Sequence, residues 1–180
     1  PFIVDMEVLQ ETLRKLEGKP VYFTKDDMKQ DDYRAIMASC ALPVMCRPIS
    51  FKDQTYFDGG LSDSVPIMRA FAKGCDRVVV ILSKPRSFVK QPEGFRHIYR
   101  HALRKYPQTI KALDNRHLMY RQNIADVKKQ ESAGKALVFA PSKELKMSTY
   151  ARDEKLEQEL YDLGISDFDA RLNELHTFLS

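Results

Sequence analysis

The run Arg77-Val-Val-Val-Ile-Leu82 most narrows what this chain can fold into. β-branched residues are stiff at χ1 and favour extended backbone. An apolar run without polar alternation reads as a strand buried on both faces, as in the interior of a parallel sheet. A helix is expected just before it, from about Ser64 to Lys73, with Asp63 or Ser64 as N-cap, Pro66 in the first turn and Gly74 as the stop. Ahead of that helix, Ile49-Ser50-Phe51 and Thr55-Tyr56-Phe57 alternate around Lys52-Asp53-Gln54 in the manner of a hairpin. Strand, helix and strand in this order predict a βαβ unit, and with it the α/β class.

The remaining elements fall on either side of Pro85. Upstream, Asp5 to Leu16 has a helical period, Pro20 to Phe23 reads as a strand, and a helix from about Gln30 to Cys40 is expected to bury Tyr33, Ile36 and Met37. Small residues at Ala35, Ala38, Ser39 and Ala41 would let a neighbour approach that helix closely. Downstream, Ser87 to Gly94 is a loop, and Phe95 to Glu131 is helical with a break at Pro107. Ala136 to Ala140 is a short strand, and helices from about Asp153 to Leu163 and Asp167 to Leu179 flank Gly164. The expected division is residues 1–85, an α/β part, and residues 86–180, mostly helical with one strand.

Several function classes are excluded or disfavoured. No apolar run approaches the ~20 residues needed to cross a bilayer. A formal net charge of +4 over 180 residues, with acidic residues interleaved throughout, is poor support for nucleic-acid binding. Cys40, Cys46 and Cys75 are odd in number and lack CxxC spacing, which points to reduced thiols, a cytoplasmic setting and no structural zinc. His97 and His101 have i, i+4 spacing but no fitting acidic third ligand, so no metal or cofactor is expected. Ser39, beside Cys40 near the end of an Ala-rich helix, has no base at local spacing and reads as packing.

The stretch Ala35 to Arg69 carries the chemistry. It delivers one carboxylate, Asp58, to a strand end, followed at once by Gly59 and Gly60 and then by a helix start. The two glycines leave room for another element to dock against the backbone. A helix ending in Ala41-Leu42-Pro43, a link through Pro48, a hairpin, then Asp58-Gly59-Gly60-Leu61, small polar residues and Val65-Pro66 together resemble the second conserved block of patatin-like phospholipases. The tail, with Arg116-His117-Leu118-Met119-Tyr120, Pro141-Ser142-Lys143 and Leu160 to Gly164, resembles the C-terminal extension of a bacterial subset of that family.

This resemblance implies part of a three-layer α/β/α acyl hydrolase with a serine–aspartate dyad, followed by a mostly helical extension. Its catalytic aspartate falls on Asp58 and its motif glycines on Gly59 and Gly60, while Asp63 and Ser64 replace the family's usual Asn pair. By the same resemblance a core strand belongs in the segment before Pro20. The GxSxG nucleophile elbow and a glycine-rich oxyanion loop have no counterpart in these 180 residues. The chain is therefore expected to be the C-terminal part of a longer lipid esterase or phospholipase, inert by itself, with lipid or another carboxylic ester as substrate. The basic helical stretch after Phe95 would suit peripheral contact with a membrane surface. The alternative is a catalytically silent lipid-surface or protein-interaction module.

Overall fold

A computed structural model describes residues 10–14, 19–145 and 153–180. The chain divides into two compact units, one running up to Pro66 and joined by Lys90–Ile124, the other made of Ile67–Val89 and Ala125–Ser180.

The first unit is built on an antiparallel sheet of β1 (Gln10–Arg14), β2 (Pro20–Phe23), β3 (Ile49–Phe51) and β4 (Gln54–Asp58), in the order β2-β1-β4-β3. β1 is a strand where helical periodicity predicts a helix, and it is the strand that the family resemblance requires. Its pairing explains the difference. Leu13 sits opposite Pro20 on β2 and Phe57 on β4, so ladder hydrogen bonds on both sides override a local pattern. The rest of the expected helix lies outside the described residues.

The hairpin forms as expected, with Ile49 opposite Tyr56 and Phe51 opposite Gln54. Lys52 and Asp53 turn the chain alone, at φ 48° and 57°, the left-handed pair that a two-residue hairpin demands. Helix α1 (Arg34–Ser39) is shorter than predicted and turns its small side out of water. Ala35 and Ala38 are fully buried against Phe23, Phe51 and Tyr56, whereas Tyr33, Ile36 and Met37 are exposed. The close approach foreseen for the small residues is what fixes the rotation of this helix, and it leaves the larger side chains outside. Phe23 meets Phe51 and Tyr56 edge-on at centroid distances of 5.1 and 5.2 Å, a favoured aromatic geometry.

Successive residues on a strand face opposite ways. Tyr56 therefore joins the α1 cluster, while its neighbour Phe57 packs with Leu61, Tyr99, Leu103 and Leu113. Tyr99 lies on α3 (Arg96–Ala102) and Leu113 on α4 (Pro107–Ser132). The helical stretch from Phe95 breaks at Pro107, as its sequence predicts.

In the second unit β5 (Val78–Ile81) pairs in parallel with β6 (Ala136–Phe139), Val78 opposite Ala136 and Ile81 opposite Phe139. The parallel strand is present, but two expectations change. Its partner is β6 and not β4, so the predicted β4–helix–β5 unit does not form as one sheet. Nor is β5 enclosed on both faces: Val80 is buried, yet Ile81 is 81% exposed. Helix α2 (Ile67–Ala72) starts three residues later than expected, and Gly74 lies in the turn that follows it, with a φ of 94° that suits a stop. Near the C-terminus, Asp153 caps α5 (Glu154–Asp169) by accepting from the N–H groups of Lys155 and Leu156. α5 runs straight through Gly164, so this glycine is not a stop, and α6 (Leu172–Leu179) follows. Mixed helices and small sheets with a helical C-terminal part agree with the α/β class read from the sequence.

Candidate functional site

Asp58 ends β4, and the ladder holds it in place: its N–H donates to the Ala41 carbonyl at 2.9 Å, and it lies opposite Thr12 of β1. The chain then tightens into a 3₁₀ turn over Gly59–Leu61. The Asp58 side chain caps that turn, its Oδ1 accepting from the Gly60 N–H at 2.7 Å. Burial raises the pKa of this half-buried carboxyl, against the opposing pull of the Gly60 N–H and the Arg116 guanidinium. The result is a carboxylate with one oriented hydrogen bond and a stronger grip on a proton than an aspartate in water.

Of Gly59 and Gly60, the second serves close approach. Neither has a positive φ. A Cβ built on Gly60 would lie 3.1 Å from Asp58 Oδ1, 3.6 Å from Arg116 Nη2 and 3.9 Å from Ser64 Oγ. The room left by the missing side chain is taken by the carboxylate and the guanidinium together. Ser64 Oγ and Arg116 Nε both donate to the Gly60 carbonyl, at 2.9 Å each.

The residues expected to cap α2 do other work. Asp63 accepts from the Tyr22 hydroxyl at 2.8 Å and from Asn123 Nδ2 at 2.9 Å, while Ser64 is turned back onto the glycine turn. Asn123, itself buried, accepts from the Val65 N–H at 3.3 Å. Arg116 also meets Glu93 at 3.2 Å, and Glu93 pairs with Lys90 at 2.8 Å. Burial alone would raise the Glu93 pKa, but Lys90 and Arg116 hold it below its ordinary value.

Arg116, Asn123 and Tyr22 are the site residues that sequence reasoning misses, and Arg116 reads there as one cation of a solvated face. A signal does exist. Thr109, Leu113, Arg116 and Asn123 recur at helical spacing along one face of α4, and Thr109 and Leu113 are buried. A polar pair in line with a buried stripe marks a face with partners. Other candidates stay apart from this site. Ser39 Oγ donates to the Ile36 carbonyl at 2.8 Å, a helix-end contact, and the three thiols are free and exposed. His97 and His101 are exposed, and among the described residues no group of three His, Cys, Asp or Glu could hold a metal.

Residues 4–71, which include the Asp58 turn, match the family model described as patatin-like phospholipase. The segment is patatin-like. Residues 106–180 match a second model, described as a domain of unknown function (DUF6363). Over 88 residues the chain is 34% identical to the protein named Uncharacterized protein YjjU of Escherichia coli (strain K12), a stretch covering 48% of this chain and 24% of that protein. The chain thus spans about a quarter of that relative. The patatin-like segment contributes the Asp58 turn, and Arg116 and Asn123 reach that turn from the other matched segment.

Proposed function

We propose that this chain is the aspartate-bearing part of a lipid acyl hydrolase that works through a serine–aspartate dyad. The patatin-like match supports a hydrolase-type family with lipid substrates in general. The finer reading rests on one observation: Asp58 is half-buried, aimed by the Gly60 N–H, and its proton affinity is raised by burial. A general base is most useful when its pKa lies closer to the working pH, and desolvation moves an aspartate in that direction.

In this reading a serine from polypeptide outside these 180 residues attacks the carbonyl carbon of a carboxylic ester, and its hydroxyl proton passes to Asp58 Oδ2. The alcohol leaves and takes a proton from Asp58, and an acyl-serine remains. Water then attacks the acyl group, again giving a proton to Asp58, and the fatty acid departs as serine recovers its proton. No histidine relay takes part. The chain alone is inert because it lacks the nucleophile elbow.

Lipid contact in this reading is peripheral, through the basic stretch around α3, where Phe95 and Ile98 stand exposed. Among the described residues no helix is long and apolar enough to cross a membrane.

The test is Asp58→Asn in a polypeptide that also carries the serine. Ester hydrolysis is expected to fall by at least ~10²-fold, the usual worth of a positioned general base, with the fold retained. Undiminished turnover would remove Asp58 from the chemistry and favour a silent lipid-surface module. As a companion measurement, the 180-residue chain is expected not to react with a fluorophosphonate; stoichiometric labelling would reveal a nucleophile within it.

A further inference from the structure

We propose that the C-terminal segment, through Arg116 and Asn123 of α4, is the positioning device for the Asp58 turn. This assigns a task to a region whose family description names none, and it rests on the reading of Asp58 as the general base.

Three hydrogen bonds and one shared core carry the inference. Arg116 Nε donates to the Gly60 carbonyl at 2.9 Å. Seven residues on, the Asn123 amide is used at both ends, donating to Asp63 Oδ1 at 2.9 Å and accepting from the Val65 N–H at 3.3 Å. The turn from Asp58 to Val65 is therefore held at its start and at its finish by one helix, and residues two turns apart on that helix set the span. Beneath these contacts Phe57 and Leu61 pack with Leu113, and Ile110 and Ala112 lie against the same cluster. The residues flanking Asp58 are thus buried in part by side chains of the C-terminal segment.

Arg116 suits this task in ways that lysine would not. A guanidinium presents separate donors in one plane, so Nε reaches the Gly60 carbonyl while Nη1 reaches Glu93. Glu93, held by Lys90, keeps the guanidinium from swinging away. The charged group acting on Asp58 is then Arg116, with Glu93 behind it, while the Asp63 carboxylate is occupied by Tyr22 and Asn123. Arg116 opposes the effect of burial and keeps a larger fraction of Asp58 ionised and able to accept a proton. An opposite charge nearby commonly lowers an aspartate pKa by ~1 or more.

The experiment uses the full 180-residue chain with ¹³C-labelled aspartate carboxyls, the Asp58 signal being assigned by its loss in Asp58→Asn. In Arg116→Met the Asp58 titration midpoint is expected to rise by ~1 pH unit, with Arg116→Lys in between. Asn123→Ala is expected to speed amide exchange at Asp63 and Val65 while leaving the α1 cluster protected. An unchanged midpoint in both Arg116 variants, or unchanged exchange in Asn123→Ala, would overturn the proposal. Should Arg116→Met fail to fold, Arg116→Lys supplies the midpoint.

In a serine-bearing polypeptide, Arg116→Met is expected to lower kcat about tenfold with little change in KM, and to move the acid limb of the pH–rate profile upward. The two readings fail differently. Activity retained by Asp58→Asn sinks the base while the titration result stands; an inactive Asp58→Asn beside a fully active Arg116→Met with an unmoved pH profile sinks the positioning role.

Discussion

Asp58 binds a proton more tightly in the folded chain than an aspartate does in water, because burial withdraws solvent from its carboxylate. The sign of the linkage follows. A carboxyl with a raised folded pKa favours folding below the unfolded value, about 3.9, and that contribution disappears as pH rises through the folded value. At neutral pH the ionised side chain is thus a net burden on the fold. Asp58→Asn, which keeps an oxygen acceptor for the Gly60 N–H, should raise Tm at pH 7 by ~1–3 °C and lose that advantage near pH 3. Thermal melts at the two pH values decide it. Gly60→Ala tests the close approach. Its methyl group would meet Asp58 Oδ1 at 3.1 Å, so the carboxylate must shift by a few tenths of an ångström. The Asp58 carboxyl ¹³C shift, reporting the bond to the residue-60 N–H, should move while the α1 cluster is undisturbed. The turn at Asp58 is legible in the sequence because its capping partner, Gly60, lies two positions away. The helical spacing of Arg116 marks its face, but its partner is a main-chain carbonyl 56 positions away, and carbonyls have no sequence identity.

Secondary elements were legible where local chemistry and tertiary context agree. The hairpin, β2, β6, and the break at Pro107 have turn residues or β-branched runs that need no distant partner. β1 departs from the helical period of the longer 5–16 segment because Gln10–Arg14 pairs with a strand on each side, a partnership that no local period reveals. Gly164 differs too: a glycine often ends a helix by adopting a left-handed φ, but Gly164 does not have one and α5 continues through it. That gives a direct prediction. A Cβ at Gly164 meets nothing within 4 Å, and its φ is not positive. Gly164→Ala should therefore stabilise the chain by about 0.5–1 kcal/mol, from lower unfolded-state entropy and better helix propensity. Equilibrium urea unfolding would show a higher midpoint at an unchanged slope. A lower midpoint would mean that α5 does not run through this position in solution.

For the molecule as a whole, a formal charge of +4 understates how local pairing divides the basic residues. Asp114 takes up Arg96 and Arg100, and Glu93 takes up Lys90 and Arg116. Arg104 instead lies 3.5 Å from His101, a basic neighbour, with Lys105 beside it in the chain. At the other end of α3, Phe95 is 84% exposed, and Ile98 within it is 58% exposed. Phe95 also has a φ of 52°, an uncommon left-handed conformation for a bulky residue, at the start of α3. In the proposed lipid contact such an exposed aromatic would be the interfacial anchor, its ring at the acyl boundary and the cations of the basic stretch towards anionic headgroups. Burying such a side chain is worth ~1.5–3 kcal/mol, and the cations add an attraction that salt screens. The proposed lipid contact therefore predicts co-sedimentation with phosphatidylserine-containing vesicles, weaker binding to pure phosphatidylcholine, and loss of the difference at high salt. Phe95→Ser with Ile98→Ser should reduce vesicle binding at least tenfold without lowering Tm, since neither side chain belongs to a buried cluster. Binding that ignores both lipid charge and these substitutions would move lipid contact to another surface and leave the Asp58 chemistry untouched.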